Sequence, residues 1–259
     1  MTRQVKTVIH IHTNYSHDAN TSCEALIETA REQNVDCLAI TDHNEIDGAL
    51  AARDIGGIDV IVGEEITSAD GHVIGLFLTS RVPPGLPIEE TAERIRAQGG
   101  LVLAPHPFST LCSQSLGPAA LRRLLPWLDA VEVCNAQNPL PWEDARASRF
   151  ARRHRITPYA GSDTHIAGYL AGAYQTTRAF AGAADFQEAL GEAELHPGRF
   201  GVGYFATMIG RHLWDKVFRQ PLPGFGVNVP GRDAGGSSHD PKERNARMEQ
   251  GLVDRGGGA

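Results

Sequence analysis

Short clusters of histidine, aspartate and glutamate follow the apolar runs of this chain. They read His10-Ile11-His12, Asp18, Thr41-Asp42-His43, Gly63-Glu64-Glu65, Gly71-His72, Pro105-His106-Pro107 and Gly161-Ser162-Asp163-Thr164-His165. The carboxyl ends of parallel strands deliver side chains to one face of a barrel, so these groups are expected to converge. Imidazoles and carboxylates gathered in this way are typical of a site for divalent metal ions.

Strand-like runs alternate with segments of helical spacing. The strand-like runs cover residues 8–11, 35–41, 60–66, 72–78, 101–104, 130–134 and 158–161. Helical spacing covers residues 23–33, 47–54, 88–98, 119–125, 142–154 and 186–193. Strands separated by helices of this length predict an α/β fold of parallel βαβ units, either a barrel or a doubly wound sheet.

Charge and cysteine content exclude several classes of protein. The formal net charge of −7 lacks the basic footprint of a dedicated nucleic-acid binder, so long nucleic acid is not an expected partner. The sequence shows no signal peptide and no apolar run that could span a bilayer, which predicts a cytoplasmic protein without a membrane partner. Its scattered cysteines are predicted to be buried thiols rather than a disulfide or zinc–thiolate framework: Cys23, Cys37, Cys112 and Cys134.

The spacing of the ligand-type residues limits which of them can act together. Alternation along an extended segment places His10 and His12 on the same face, where they can chelate one ion. The same alternation puts the two carboxylates of Glu64-Glu65 on opposite faces, so only one of them can join that site. The pair His17-Asp18 competes in the same way, and the residues alone leave both choices open.

The order of the clusters points to a known family. Over roughly residues 7–178 they give His-x-His, an aspartate, Thr-Asp-His, Gly-x-Glu, His-x-x-Gly, His-Pro and Gly-Ser-Asp-x-His. This combination resembles the PHP (polymerase and histidinol phosphatase) domain family. The resemblance implies a distorted seven-stranded βα barrel with its metal site at the carboxyl ends of the strands. It also implies a metal-dependent phosphoesterase with two to three divalent ions, for which this ligand set suits Mn²⁺, Fe²⁺ or Zn²⁺.

Carried over by position, the resemblance implies three overlapping groups of metal ligands. The first group is His10, His12, Glu65 and Asp163. The second shares Glu65 and adds His72 and His106. The third is Asp18, His43 and His165.

The family's spacing also decides the two open choices. Its Gly-x-Glu element selects Glu65 over Glu64, and its Asp-Gly-Thr-Leu-Ser element selects Asp18 over His17. The residues that the resemblance makes catalytic are Glu65, Asp163 and His165.

Other residues near the clusters are weaker candidates for orienting ligands or contacting substrate. They are Asp42, Asn135, Ser162, His17 and Arg149. Glu132 and Asn135 lie at the end of the predicted strand 130–134, and for both a substrate contact and a loop-stabilising role are open. For Arg149, which shares a helix face with two other arginines, a solvated basic face is the alternative to phosphate recognition.

The predicted function is hydrolysis of a phosphoester, most simply a small phosphomonoester such as a nucleotide, by a metal-activated hydroxide. One alternative is an amidohydrolase-type metal hydrolase, whose common two-metal form bridges its ions with a carbamylated lysine. The lysines of the chain are Lys6, Lys216 and Lys242, so none lies among the ligand clusters. A second alternative is a non-enzymatic, metal-stabilised PHP module.

Composition divides the chain near residue 220. Residues 1–219 are predicted to form the PHP-type catalytic domain with its C-terminal extension. Residues 220–259 are rich in glycine and proline and lack apolar periodicity. Too little apolar surface is available there to offset chain entropy, which predicts a tail that is flexible or draped over the domain.

Overall fold

Seven strands close into a barrel in the computed structural model, which describes residues 3–218, with side chains up to residue 210. These strands are β1 (Gln4–Ile11), β2 (Cys37–Ile40), β3 (Asp59–Ser68), β4 (Gly71–Leu76), β5 (Leu101–Ala104), β6 (Ala130–Asn135) and β7 (Thr157–Thr164). Each strand pairs with the next, and β1 pairs with both β2 and β7, which closes the ring. The predicted seven-stranded βα barrel is confirmed.

One strand of the ring runs against the others. β4 pairs antiparallel with both β3 and β5, whereas the other neighbours in the ring are parallel. The expectation of parallel units alone is therefore wrong for β4, because only Ala69 and Asp70 separate it from β3 and a parallel connection needs a longer crossover. The reversal brings the start of β4 to the barrel end where the parallel strands finish.

Helices surround the ring and further strands extend it. The helices are α1 (Cys23–Glu32), α2 (Asp47–Ile55), α3 (Ile88–Ala97), α4 (Gly117–Leu124), α5 (Pro141–His154), α6 (Gly182–Gly191) and α7 (Val202–Phe218). Strand β8 (Tyr174–Arg178) pairs with β1 outside the ring, and β9 (Glu194–His196) pairs with β8. The sequence did not predict β8, because its buried positions are the polar residues Gln175 and Thr177. It also missed β9 and α7.

Two apolar clusters explain why these strands and helices pack as they do. One cluster combines alternate strand residues such as Ile9, Ala39 and Leu103 with Phe186 and Leu190 of α6, so it fills the barrel interior. The other cluster takes the intervening strand residues and the apolar faces of the first five helices, so it lies between barrel and helices. The interior cluster leaves one barrel end free for polar side chains.

A β-bulge in β1 shifts the alternation at a residue that matters for the site. Ile9 pairs with Ala39 of β2, whereas Ile11 pairs with the next residue, Ile40, so His10 is the extra residue. Its φ of 68° lies in the left-handed region. The bulge lets the His10 side chain join the interior face directly after Ile9, which regular alternation would forbid.

The chain divides by its contacts into residues Met1–Gly210 and Arg211–Ala259. The predicted tail, residues 220–259, lies outside the described residues and stays a prediction. Among the helices that the structure describes, none is long and apolar enough to cross a membrane.

Candidate metal centre

The Glu65 carboxylate lies between two sets of imidazoles at the end of the barrel. Its Oε1 is 2.9 Å from His72 Nδ1 and 3.0 Å from His106 Nε2. Its Oε2 faces three further ring nitrogens, at 3.3 Å in His10, 3.2 Å in His12 and 3.3 Å in His43. Glu65 is buried, so its charge is balanced by these neighbours rather than by solvent.

Two aspartates complete the cluster on the pocket side. Asp163 Oδ1 lies 3.5 Å from Nε2 of both His10 and His12. Asp18 Oδ2 lies 3.3 Å from His43 Nε2 and 3.2 Å from His165 Nε2. All nine side chains that the resemblance implied as ligands therefore meet at one end of the barrel, in small groups whose ligand atoms lie within 4.8 Å of one another.

Three of these residues have backbones in the left-handed region. The φ values are 68° at His10, 26° at His106 and 50° at Asp163. A non-glycine residue in such a sparsely populated conformation costs about 1–3 kcal/mol, and such residues concentrate at functional sites. The backbone is therefore strained at three residues whose side chains form the cluster.

Glu132, whose role the sequence alone leaves open, orients His10 and His106 by hydrogen bonds. His10 Nδ1 donates to its Oε1 at 3.0 Å, which leaves His10 Nε2 directed at Glu65. The His106 backbone N–H and the Asn135 side chain both donate to its Oε2. A Cβ at Gly161 would lie 1.5 Å from Glu132 Oε1, so this strand position of β7 accommodates only glycine.

Three of the weaker sequence candidates make hydrogen bonds near the cluster, but only two of them act on its side chains. Asp42 accepts from the Ser16 hydroxyl, which also contacts His12 Nδ1 at 3.1 Å, so Asp42 acts on the cluster through Ser16. Asn135 donates to Asp163 Oδ2 at 2.9 Å and positions that carboxylate. Ser162 instead donates to the Leu170 carbonyl and holds the loop after β7.

The remaining two candidates are both exposed, but only one of them lines the pocket. His17 lines the pocket and packs on His43, with ring centroids 5.3 Å apart. Arg149 is exposed on α5 and is not among the residues that line the pocket. The structure therefore favours the solvated basic face for Arg149.

The carboxylates of the cluster hold protons on its histidines. Burial alone lowers the pKa of His12 and His72, but Asp163 and Glu65 beside His12, and Glu65 beside His72, raise both values to about 9. Burial would raise the pKa of Asp18 and Asp163, yet their histidine partners hold both pKa values well below the usual range. A divalent cation bound among these groups would replace those protons.

Several buried nitrogens in the cluster lack a hydrogen bond. His12 Nε2, His72 Nδ1 and His106 Nδ1 are buried without a hydrogen-bond partner in the described part of the chain. An unsatisfied buried polar group costs about 1–3 kcal/mol. His12 Nε2 and His72 Nδ1 face the Glu65 carboxylate at 3.2 Å and 2.9 Å without forming hydrogen bonds, an arrangement suited to a shared cation. The residues present therefore fit a divalent metal.

Glu64 lies on the opposite face of β3 from Glu65. It is buried, its Oε2 accepts from the Val82 backbone N–H at 2.8 Å, and its Oε1 has no partner in the described residues. Burial raises the pKa of Glu64 to about 7. The structure thus separates the two adjacent glutamates into one at the cluster and one away from it.

This pKa predicts how the Glu64→Gln variant will respond to pH. Between about pH 4.5 and pH 7 the unfolded chain loses the Glu64 proton while the folded protein keeps it, so rising pH destabilises the wild type. Chemical denaturation at pH 5 and pH 8 is expected to show the variant gaining about 1–3 kcal/mol relative to the wild type. A difference that is the same at both pH values would contradict the buried, proton-retaining carboxyl group.

Cys112 departs from the prediction for the cysteines. Cys23, Cys37 and Cys134 are buried, whereas Cys112 is half-buried and lines the pocket. Burial raises its pKa, but the His106 and His72 imidazoles outweigh burial and lower the pKa of the thiol to about 6. The expectation of four buried thiols is therefore wrong for Cys112, because the loop that carries it opens onto the pocket beside His72 and His106.

A pocket of about 620 Å³ opens over the cluster. Its floor includes Glu65 and Asp163. Its walls carry neutral polar residues from the loop after β5 and from the end of β6 with the loop after it: Ser109, Ser113, Gln114, Asn135, Gln137 and Asn138. Among the residues that the structure describes, no lysine or arginine lines it. The metal-type cluster is thus the one feature of the described lining that can balance a substrate's negative charge.

A closed α/β barrel with a histidine–carboxylate cluster at one end defines a class of metal-binding barrel domains. Residues 9–117 match the PHP domain, and residues 141–195 match a PHP-associated family. The protein MJ1587 of Methanocaldococcus jannaschii is 38% identical over 145 residues, which cover 51% of this chain and 82% of that protein. The chain belongs to the PHP domain family.

Solved structures share this fold at low sequence identity. A two-domain protein from Bacteroides vulgatus, described as containing a predicted PHP-like metal-dependent phosphoesterase, is 18% identical with a TM-score of 0.61. The match covers 76% of this chain and 66% of that one. A lesion-specific endonuclease from Pyrococcus furiosus is 16% identical with a TM-score of 0.55, over 74% of this chain and 58% of its own. At these identities the likeness shows the fold alone.

Proposed function

We propose that this protein is a metal-dependent phosphoesterase that hydrolyses a small phosphomonoester such as a nucleotide. The observation that carries the proposal is the Glu65 carboxylate, whose two oxygens face separate sets of imidazoles. A shared carboxylate is suited to bridging two divalent ions, which lie about 3.5–4 Å apart in two-metal hydrolytic sites. Membership of the PHP family supports the same class of reaction.

The proposed ligands form three groups around the two faces of Glu65. His10, His12, Glu65 and Asp163 would hold one ion. Glu65, His72 and His106 would hold a second. Asp18, His43 and His165 would hold a third, with His12 close to them in the same cluster.

Divalent ions bound there would act as Lewis acids towards phosphoryl oxygens and lower the pKa of water towards about 7. The protein's part is to keep the ligands in place. Asn135 fixes the Asp163 carboxylate, and the Tyr204 hydroxyl accepts from the His165 backbone N–H at 3.3 Å. The His165 side chain lines the pocket with its Nε2 3.2 Å from Asp18 Oδ2, where the two residues would hold the third ion together with His43.

The pocket supports a substrate with a single phosphate. Its volume of about 620 Å³ lies within the usual range for small-molecule sites, about 300–1,000 Å³. One phosphate can be neutralised at the cluster, but further phosphates would meet no lysine or arginine along the described walls. The same lack of basic side chains, with a net charge of −7, disfavours long nucleic acid as substrate.

The two alternative functions have less support. The common two-metal amidohydrolase centre bridges its ions with a carbamylated lysine, and no lysine is among the described residues that line the pocket. Lys6 donates its Nζ to the Gln33 carbonyl and packs over the Tyr174 ring instead. A non-enzymatic module has no reason to keep a complete set of ligand-type side chains around an open pocket.

A substrate screen tests the proposal. The purified protein, stripped with a chelator and reloaded separately with Mn²⁺, Fe²⁺ or Zn²⁺, is expected to hydrolyse phosphomonoesters faster than phosphodiesters or amides. It is also expected to bind at least two ions per chain by elemental mass spectrometry. The Asp163→Asn variant serves as the negative control, and its rate is expected to be lower than that of the wild type. Absence of phosphoester hydrolysis with every metal, or equal rates in the variant, would overturn the proposal.

A further inference from the structure

Cys112 lies against two of the proposed metal ligands. It belongs to the loop between β5 and α4, six residues after His106. Its Sγ, one ring nitrogen of His72 and one ring nitrogen of His106 all lie within 4.8 Å of one another. This geometry is compact enough for one ion to touch all three side chains.

A second observation points to a ligand at the same place. The Nδ1 atoms of His72 and His106 are buried without a hydrogen-bond partner in the described residues. Both residues are only 8% exposed, so bulk water does not satisfy these nitrogens. The Nδ1 of His72 comes within 2.9 Å of Glu65 Oε1 without hydrogen-bond alignment, as expected of two groups that face a common cation.

The loop is tied down on both sides of the thiol. The Cys112 backbone N–H donates to Ser109 Oγ at 3.2 Å, and its carbonyl accepts from the Ser115 N–H at 3.2 Å. The Gln114 carbonyl accepts from the His72 N–H at 2.8 Å, which joins the loop to β4. The position of the sulfur beside the histidines is therefore set by the fold and not by a free loop.

We propose that Cys112 is a thiolate ligand of an ion that it shares with His72 and His106. The thiol gives up its proton to solvent when the sulfur–metal bond forms. Such a mixed nitrogen and sulfur set is selective, because thiolate ligands favour Zn²⁺ and other borderline or soft ions over Mn²⁺ and Mg²⁺. The inference rests on the proposed function only in taking His72 and His106 as metal ligands.

Cobalt substitution tests this inference by spectroscopy. Chelator-treated protein is titrated with Co²⁺, whose visible d–d bands report any bound ion and whose near-ultraviolet charge-transfer band reports a thiolate ligand. The wild type is expected to show both, and Cys112→Ser is expected to keep the visible bands while losing the charge-transfer band. Cys134→Ser is the matched control, since Cys134 is buried, does not line the pocket and donates to the Gly198 carbonyl, as a serine can.

The outcomes separate this inference from the proposed function. Visible bands without a charge-transfer band in the wild type, or a band that survives Cys112→Ser, would overturn the thiolate ligand while leaving the metal centre intact. Absence of bound Co²⁺ would overturn both.

Competition titrations add a second readout. Loss of a residue that only hydrogen-bonds to a metal ligand weakens metal binding about 10- to 100-fold, and loss of a ligand itself is expected to cost at least as much. Cys112→Ser is therefore expected to weaken Zn²⁺ binding by at least about tenfold and Mn²⁺ binding by less, and equal losses for the two ions would contradict the inference.

Discussion

The Glu65→Gln variant is expected to lose phosphomonoester hydrolysis by at least about 10³-fold, the largest effect of any single substitution at the cluster. Glu65 is the carboxylate that both sets of imidazoles share, so its replacement removes one charge from two proposed ion sites at once. A loss of about 4 kcal/mol of transition-state stabilisation corresponds to this factor. Initial rates at saturating metal measure the effect.

The neighbouring Glu64→Gln variant is the matched control for this experiment. It makes the same chemical change one residue away, on the opposite face of β3, where the side chain contacts the Val82 backbone. Its rate is expected to equal that of the wild type, with two or more ions still bound. A Glu65→Gln protein that keeps full metal content and wild-type rates would contradict the bridging role, and equal losses in both variants would indicate general disruption of β3.

The barrel could be predicted only in part from the sequence. Apolar runs marked all seven ring strands, because the middle of each strand is buried and carries apolar or small side chains. Closure of the ring and the external β8 depend on pairings between distant segments. The reversed β4 depends instead on its two-residue connection to β3, whose bounds the apolar runs did not show. The bulge at His10 was also invisible, since alternation along the sequence alone does not show which residue a neighbouring strand leaves unpaired.

Some residues of the candidate site could also be predicted from local motifs, whereas others required the contacts that the structure shows. The nine ligand-type side chains stand in local motifs, so the resemblance to the PHP family is enough to name them. Glu132 and Cys112 have no such motif, and their roles depend on contacts with His10 and His106 that span different strands. A carboxylate within the apolar run of β6, two strands from the His-x-His pair, was the available signal for Glu132. That signal could not distinguish orientation of a ligand from contact with substrate.

The Glu132→Gln variant is expected to weaken divalent metal binding about 10- to 100-fold, the usual effect of losing the partner that orients a metal-binding histidine. A carboxylate accepts from both the His10 ring and the His106 backbone, whereas an amide has only one accepting oxygen. If the amide nitrogen faces His106, two donors oppose each other. If it faces His10, the ring must carry its proton on Nε2, the nitrogen directed at Glu65. Either orientation disturbs a proposed ligand.

Calorimetric titration of chelator-treated protein with Zn²⁺ measures this effect, and activity against metal concentration provides the second readout. Because Glu132 acts through the histidines, excess metal is expected to restore much of the rate in Glu132→Gln but not in Glu65→Gln. Asp129→Asn is the matched control: Asp129 is buried just before β6 and accepts from the Val102 N–H at 2.8 Å, at the barrel end opposite the cluster. That variant is expected to lose stability while keeping its metal affinity. Equal metal affinity in Glu132→Gln and the wild type would show that the cluster keeps its geometry without this carboxylate.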